Sequence, residues 1–193
     1  TDWPQILTSK LTNQVYQNNC TPRGKGFSGA SWWSVRKELL KQLTLSIPKI
    51  LIICHSDAIR IPTDQDLEIN YYTCKHIADK TKHKNPQFYA AYLYYQQLLS
   101  IDFFMWAQLQ WFKELDLLLN NYKIPMVIHL HMNDLHAEYN FTNSITAPWT
   151  LIELSGNRYN PTILAELRNH FTDDENLKLD ELIYEMIKLP QFS

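Results

Sequence analysis

Two short apolar runs, residues 49–55 and 125–131, constrain this chain more than anything else in it. Each has the length of a strand and β-branched residues at its middle, and the first stops abruptly at the polar stretch His55, Ser56, Asp57. A continuous apolar run of that length suits a strand buried on both faces, as strands of a parallel sheet are. Residues 150–154 read as a third strand. Between these runs the apolar residues recur at helical spacing, and alternation of strand, loop and helix is the pattern of an α/β domain. The expected architecture is a three-layer α/β/α sandwich around a mostly parallel sheet.

Length and composition narrow the class further. With 193 residues the chain is expected to make one domain with a substantial core. Hydrophobic residues at 45% and charged residues at 20% exclude a disordered chain. Eighteen Lys and Arg against twenty Asp and Glu leave a net charge of −2, so no global positive field favours nucleic acid or an anionic membrane. Neither is expected as a partner. The three cysteines, Cys20, Cys54 and Cys74, are odd in number and widely spaced, which fits neither a disulfide framework nor a zinc knuckle. A reducing compartment, the cytoplasm, is the expectation, and no cofactor is expected. No apolar run reaches the length of a bilayer span, and the N-terminal stretch has no signal-peptide core.

Several helices can be drawn from periodicity and caps. Trp3, Ile6, Leu7 and Leu11 predict an amphipathic helix over residues 3–14 behind Asp2, with Pro4 where its missing N–H is harmless. Residues 18–30 hold three of the four glycines and read as a loop opening into a helix that Ser28, Ser31 or Ser34 could cap. Trp32, Val35, Leu39, Leu40 and Leu43 follow a 3.6 period, and Pro48 marks the turn into the first strand. Residues 57–86 look like a surface excursion with a short helix near 71–78. Tyr92, Tyr95, Leu99, Phe103, Trp106, Leu109 and Leu117 then suggest one long helix over residues 88–120, with no Gly or Pro inside it. A short helix over 161–167 precedes a last amphipathic helix carrying Leu179, Ile183, Met186 and Ile187, with Thr172 and Glu175 as a capping box.

In open parallel sheets, sites form beyond the carboxyl ends of the strands, where loops converge and helix N-termini point. Three segments qualify: residues 26–31, residues 54–57, and residues 169–173 with His170.

These residues resemble the SGNH/GDSL hydrolases. Gly26-Phe27-Ser28-Gly29-Ala30-Ser31 before a helix, then a proline, then the strand ending Cys54-His55-Ser56-Asp57, is similar to that family's second and third conserved blocks in order and separation. Asn169-His170-Phe171-Thr172 at the start of the last helix resembles its fifth block, and Asp2-Trp3-Pro4 resembles the helix that follows the nucleophile strand. The pair Trp32 and Trp33 and the segment 106–112 further resemble uncharacterised members found in marine bacteriophages. The resemblance implies a serine-type hydrolase of ester bonds acting on a small-molecule or glycan ester. His170 would be the general base and Gly29 would donate an oxyanion-hole N–H. The family's oxyanion asparagine falls on Ser56, whose hydroxyl can donate but is shorter and free to rotate.

Two further departures matter. The acid that orients the base histidine falls on Leu167, with Glu166 adjacent, so the imidazole tautomer is less well fixed. The family's Gly-Asp-Ser nucleophile strand belongs ahead of Asp2. In the flavodoxin-like 2-1-3-4-5 strand order that the resemblance implies, that strand is central, and its absence would leave two unpaired sheet edges inside the core, with unmet backbone groups costing about 1–3 kcal/mol each. An upstream strand, or another chain completing the sheet, is therefore expected. The runner-up is a non-catalytic binding or virion structural protein on the same fold, which would place it in a virion.

Other patterns have more ordinary accounts beside functional ones. His129 and His131, two apart in a strand, face one side and with His136 and His55 could hold a metal, but no Cys or acid joins them at fixed spacing. The aromatic residues over 89–111 could stack on bases or sugars, yet aromatics at helical spacing usually fill a core. Lys75, Lys80, Lys82 and Lys84 form a local positive patch that Asp79 interrupts. Cys54 beside His55 is no catalytic pair, since adjacent strand residues point to opposite faces.

Overall fold

The structure is a computed structural model that describes residues 3–11, 31–61, 71–81, 85–134, 139–155 and 171–188. Its elements, in order, are α1 (Trp3–Leu11), α2 (Trp32–Leu45), β1 (Ile50–His55), α3 (Tyr71–Thr81), α4 (Pro86–Gln97), α5 (Ile101–Tyr122), β2 (Met126–His131), β3 (Ile145–Thr150), α6 (Leu151–Leu154) and α7 (Asp173–Lys188). The class is mixed α/β, with a three-stranded parallel sheet in the order β1-β2-β3.

The period-two alternation of each strand divides the core. Leu51, Ile53 and Val127 pack against Leu39 and Leu43 of α2 and Trp111, Phe112, Leu115 and Leu119 of α5. Ile50, Ile52, Met126, Ile128 and Leu130 face the other way, onto Leu7 and Leu11 of α1 and Leu179, Ile183 and Ile187 of α7. A third cluster around Cys74 and Tyr95 joins α3 to α4. Full burial of a side chain such as Ile128 or Leu130 contributes about 1.5–3 kcal/mol, so central β2 anchors both faces.

β2 is buried at every position after Met126, as expected of a strand covered on both faces. β1 is not: it is an edge of the described sheet, only half-buried over its first three residues and exposed at Cys54. The described strands form one continuous ladder, and the unpaired edges are the outer sides of β1 and β3.

Local chemistry corrects the expected elements in two places. The strand drawn over 150–154 is displaced: β3 ends at Thr150, and 151–154 is helical. Thr150 caps α6 by accepting from the Glu153 N–H (3.2 Å), while Glu153 accepts from the Thr150 N–H (2.6 Å). Pro148, which has no N–H for a ladder, is tolerated because β3 is an edge of the described sheet, and pairing with β2 is irregular between His129 and His131. The helix drawn over 88–120 is two helices. The Leu98 and Leu99 N–H groups both turn back to Tyr94 O, and Ser100 starts α5 afresh by accepting from the Phe103 N–H (3.2 Å).

That break resets the helical phase, so the buried stripe of α5 is Phe104, Gln108, Trp111, Phe112, Leu115 and Leu119, while Phe103, Trp106 and Leu117 are exposed. Among the cap candidates for α2, Ser31 is the N-cap, accepting from the Ser34 N–H. Thr172 and Glu175 do form the capping box of α7 (2.7 and 3.4 Å). Among the described residues no helix is long and apolar enough to cross a membrane.

Candidate functional site

β1 and β2 run parallel with Ile53 opposite His129 and His55 opposite His131, so the three imidazoles share one face at the carboxyl rim of the sheet. His55 Nε2 and His129 Nδ1 are 2.8 Å apart. Their ring planes differ by 9° with centroids 5.1 Å apart, the geometry of two rings meeting edge to edge through one hydrogen bond. His131 lies 4.8 Å from His55 between centroids. Phe112 of α5 covers His55 at 4.6 Å, and Phe141 stacks on His129 at 3.6 Å and 5°.

All three rings are buried, with 4%, 0% and 2% of their surface exposed. Burial, and then repulsion from its histidine neighbours, holds His55 well below the usual imidazole range. Burial and His131 push His129 down to about 3. His55 and His129 are thus neutral imidazoles inside an aromatic cage, bonded to each other rather than to an acid. Among the described residues no set of three or more His, Cys, Asp and Glu side chains is arranged to hold a metal ion.

Immediately past this cage the chain makes a turn over residues 56–60. The Arg60 N–H returns to Asp57 O (3.4 Å), and Asp57 Oδ1 accepts from the Ile59 N–H (3.3 Å). Gln108 reaches down from α5 to donate through Nε2 to Ser56 O (2.8 Å), and the Tyr95 hydroxyl of α4 donates to Ile59 O (2.9 Å). The turn is thus pinned by two helices. Burial raises the Tyr95 hydroxyl's pKa, so it stays a donor. The Ser56 hydroxyl, Gln108 Oε1 and Arg60 Nε are buried with no hydrogen-bond partner among the described residues.

Of the three site residues expected from the sequence, Ser56 stands at the carboxyl end of β1. Gly29 and His170 lie outside the described residues, as do His136, Glu166 and Leu167. Cys54 points away from His55 onto the exposed side, as strand alternation requires. Gln108 and Arg60 do not stand out as site residues in the sequence. A signal existed for Gln108: it is the one amide on an otherwise apolar stripe of α5. Arg60 gave none, since it sits in a polar stretch that reads as surface. A hollow of about 250 Å³ lined by Leu119, Lys123, Val127, Thr142 and Asn143 is at the opposite, amino-terminal end of β2.

No family model, no curated protein and no solved structure matches the chain. The chemistry of the rim itself must therefore indicate the function.

Proposed function

We propose that the chain is an SGNH/GDSL-type hydrolase domain acting on ester bonds, with its site at the carboxyl rim of β1. The observation that carries this reading is Ser56. The residue that the resemblance assigns to the oxyanion hole stands at a strand's carboxyl end with its hydroxyl buried and unpartnered among the described residues. A buried donor without an acceptor is disfavoured unless something else supplies one. A developing oxyanion is such an acceptor.

The topology supports the same reading. Three adjacent parallel strands in the order β1-β2-β3 match the last three of a 2-1-3-4-5 sheet, and α1 with α7 and α2 with α5 on opposite faces suit a three-layer α/β/α sandwich. In that arrangement the nucleophile strand pairs along the outer edge of β1, beside Ser56. His170 then takes the serine proton as the serine oxygen attacks the ester carbonyl carbon, and the Gly29 N–H and the Ser56 hydroxyl stabilise the negative charge on the carbonyl oxygen. His170 gives the proton to the departing alcohol, and a water deprotonated by His170 cleaves the acyl–serine bond, releasing the acid and restoring the serine. The buried trio His55, His129 and His131 takes no part in proton transfer. Its rings shape the wall of the rim.

The test is turnover of a short-chain ester by the encoded protein and its His170→Ala variant. Loss of roughly 10³-fold or more in kcat supports the base assignment, and indifference to the substitution refutes it. One observation favours the second reading, a binding or virion structural protein: the described imidazoles of the rim are all sealed in the core. On that reading the encoded protein hydrolyses no ester at all.

A further inference from the structure

The turn over residues 56–60 holds a cation that no described residue balances. Arg60 is 9% exposed, its Nε is buried without an acceptor, and it makes no ion pair with any described residue. A guanidinium is charged at every physiological pH, and a buried guanidinium N–H without an acceptor is costly for a fold to retain. The natural counter-ion would be Asp57, three residues away. Its Oδ1 accepts from the Ile59 N–H of its own turn, and it makes no ion pair with Arg60.

Two more polar atoms without a partner among the described residues lie at this turn: the Ser56 hydroxyl, which is buried and can donate, and Oε1 of Gln108 on α5, an acceptor, whose Nε2 is tied to Ser56 O. A cationic fork, a hydroxyl donor and a rigid backbone held by Gln108 and Tyr95 are the parts from which oxyanion sites are built.

We propose that the 56–60 turn binds a small oxyanion group, a carboxylate or a phosphate, with Arg60 supplying the charge and the Ser56 hydroxyl a hydrogen bond. The inference goes beyond the hydrolase reading and does not depend on it, because occupancy is a binding property that no turnover measurement enters.

The test is the thermal unfolding midpoint of the whole protein titrated with sodium acetate and, separately, with sodium phosphate, against sodium chloride at matched ionic strength. The expected result is a saturable rise absent with chloride. A response to acetate assigns a carboxylate, a response to phosphate assigns a phosphate, and a response to both assigns their shared chemistry. Arg60→Met is expected to abolish the rise while leaving the anion-free midpoint unchanged or higher, since it removes a buried N–H donor that has no acceptor among the described residues. Arg60→Lys is expected to keep a weaker rise, because it keeps the charge and loses the fork.

Should Arg60→Met fail to fold, the Arg60 Nε–H resonance of the unaltered protein gives the same answer: it shifts along the titration curve of the bound anion. No saturable rise with either anion, an equal rise in Arg60→Met, or an Arg60 resonance that does not move overturns the proposal.

Discussion

His55 Nε2 and His129 Nδ1 share a single hydrogen bond of 2.8 Å between adjacent parallel strands, inside a cage closed by Phe112 and Phe141. One ring donates and the other accepts, so the pair holds together only while at least one imidazole is neutral at that edge. Burial and mutual repulsion favour neutrality for both.

The pair makes stability depend on pH. In the unfolded chain both imidazoles bind a proton near the ordinary value of 6.5, whereas in the fold His129 resists protonation down to about 3 and His55 is held well below its ordinary value. The unfolded state therefore binds more protons below pH 6.5, and stability falls as pH falls, by about 1.4 kcal/mol per pH unit for each imidazole once the unfolded chain is protonated. Urea unfolding between pH 7.5 and pH 5.5, above the carboxylate range, checks this. A loss that steepens as pH falls through 6.5 is expected over that window, with roughly half the slope in His129→Gln; a flat profile would contradict it.

Phe112 is fully buried and touches His55, His131, Tyr139 and Phe141. Phe112→Ala opens a cavity beneath the cage and is expected to cost about 3–5 kcal/mol. Phe103→Ala, on the exposed face of the same helix, is expected to cost under about 0.5 kcal/mol. Chemical denaturation of the two variants separates the buried stripe of α5 from its outer face, and equal losses would mean that α5 does not turn Phe112 inward and Phe103 outward.

Lys10 of α1 pairs with Asp180 of α7, a carboxylate with no exposed surface, while Arg36 pairs bidentately with Glu114 at the surface (Arg36 Nη2 to Glu114 Oε1, 2.6 Å). Lys10→Met strands a buried charge and is expected to cost about 3 kcal/mol or more. Glu114→Gln leaves both groups in water and is expected to cost under about 1 kcal/mol. Urea midpoints rank the two, and a reversed order would show that Asp180 is solvated.

How far the fold was legible follows from which signals are local. The runs at 50–55 and 126–131, the Thr172–Glu175 box and the shared face of His129 and His131 depend on spacing alone, and spacing is written in the chain. The division at Leu98 to Ser100 was not legible, because Ser100 begins a helix without any Gly or Pro to announce the break. The end of β3 at Thr150 was misplaced for a related reason: Leu151 to Leu154 is an apolar run of strand length, and only the Thr150–Glu153 capping box marks it as helix.

The candidate site was half legible. Ser56 follows from its position after an apolar strand, but its contact with Gln108 spans 52 residues, and the burial of Arg60 depends on tertiary packing that no local pattern encodes. The proximity of His55 to His129 likewise needed the β1–β2 pairing, which joins residues 74 apart.

Whether the Ser56 hydroxyl serves an oxyanion at the rim of β1 is decided by turnover of a short-chain ester in Ser56→Ala and Ser56→Asn, with folding of each variant confirmed by its unfolding midpoint. Ser56→Ala is expected to lower kcat by roughly 10²-fold or more, and Ser56→Asn, which presents an amide N–H of longer reach, to raise kcat above the unaltered protein. Equal kcat in all three proteins would contradict that role for Ser56.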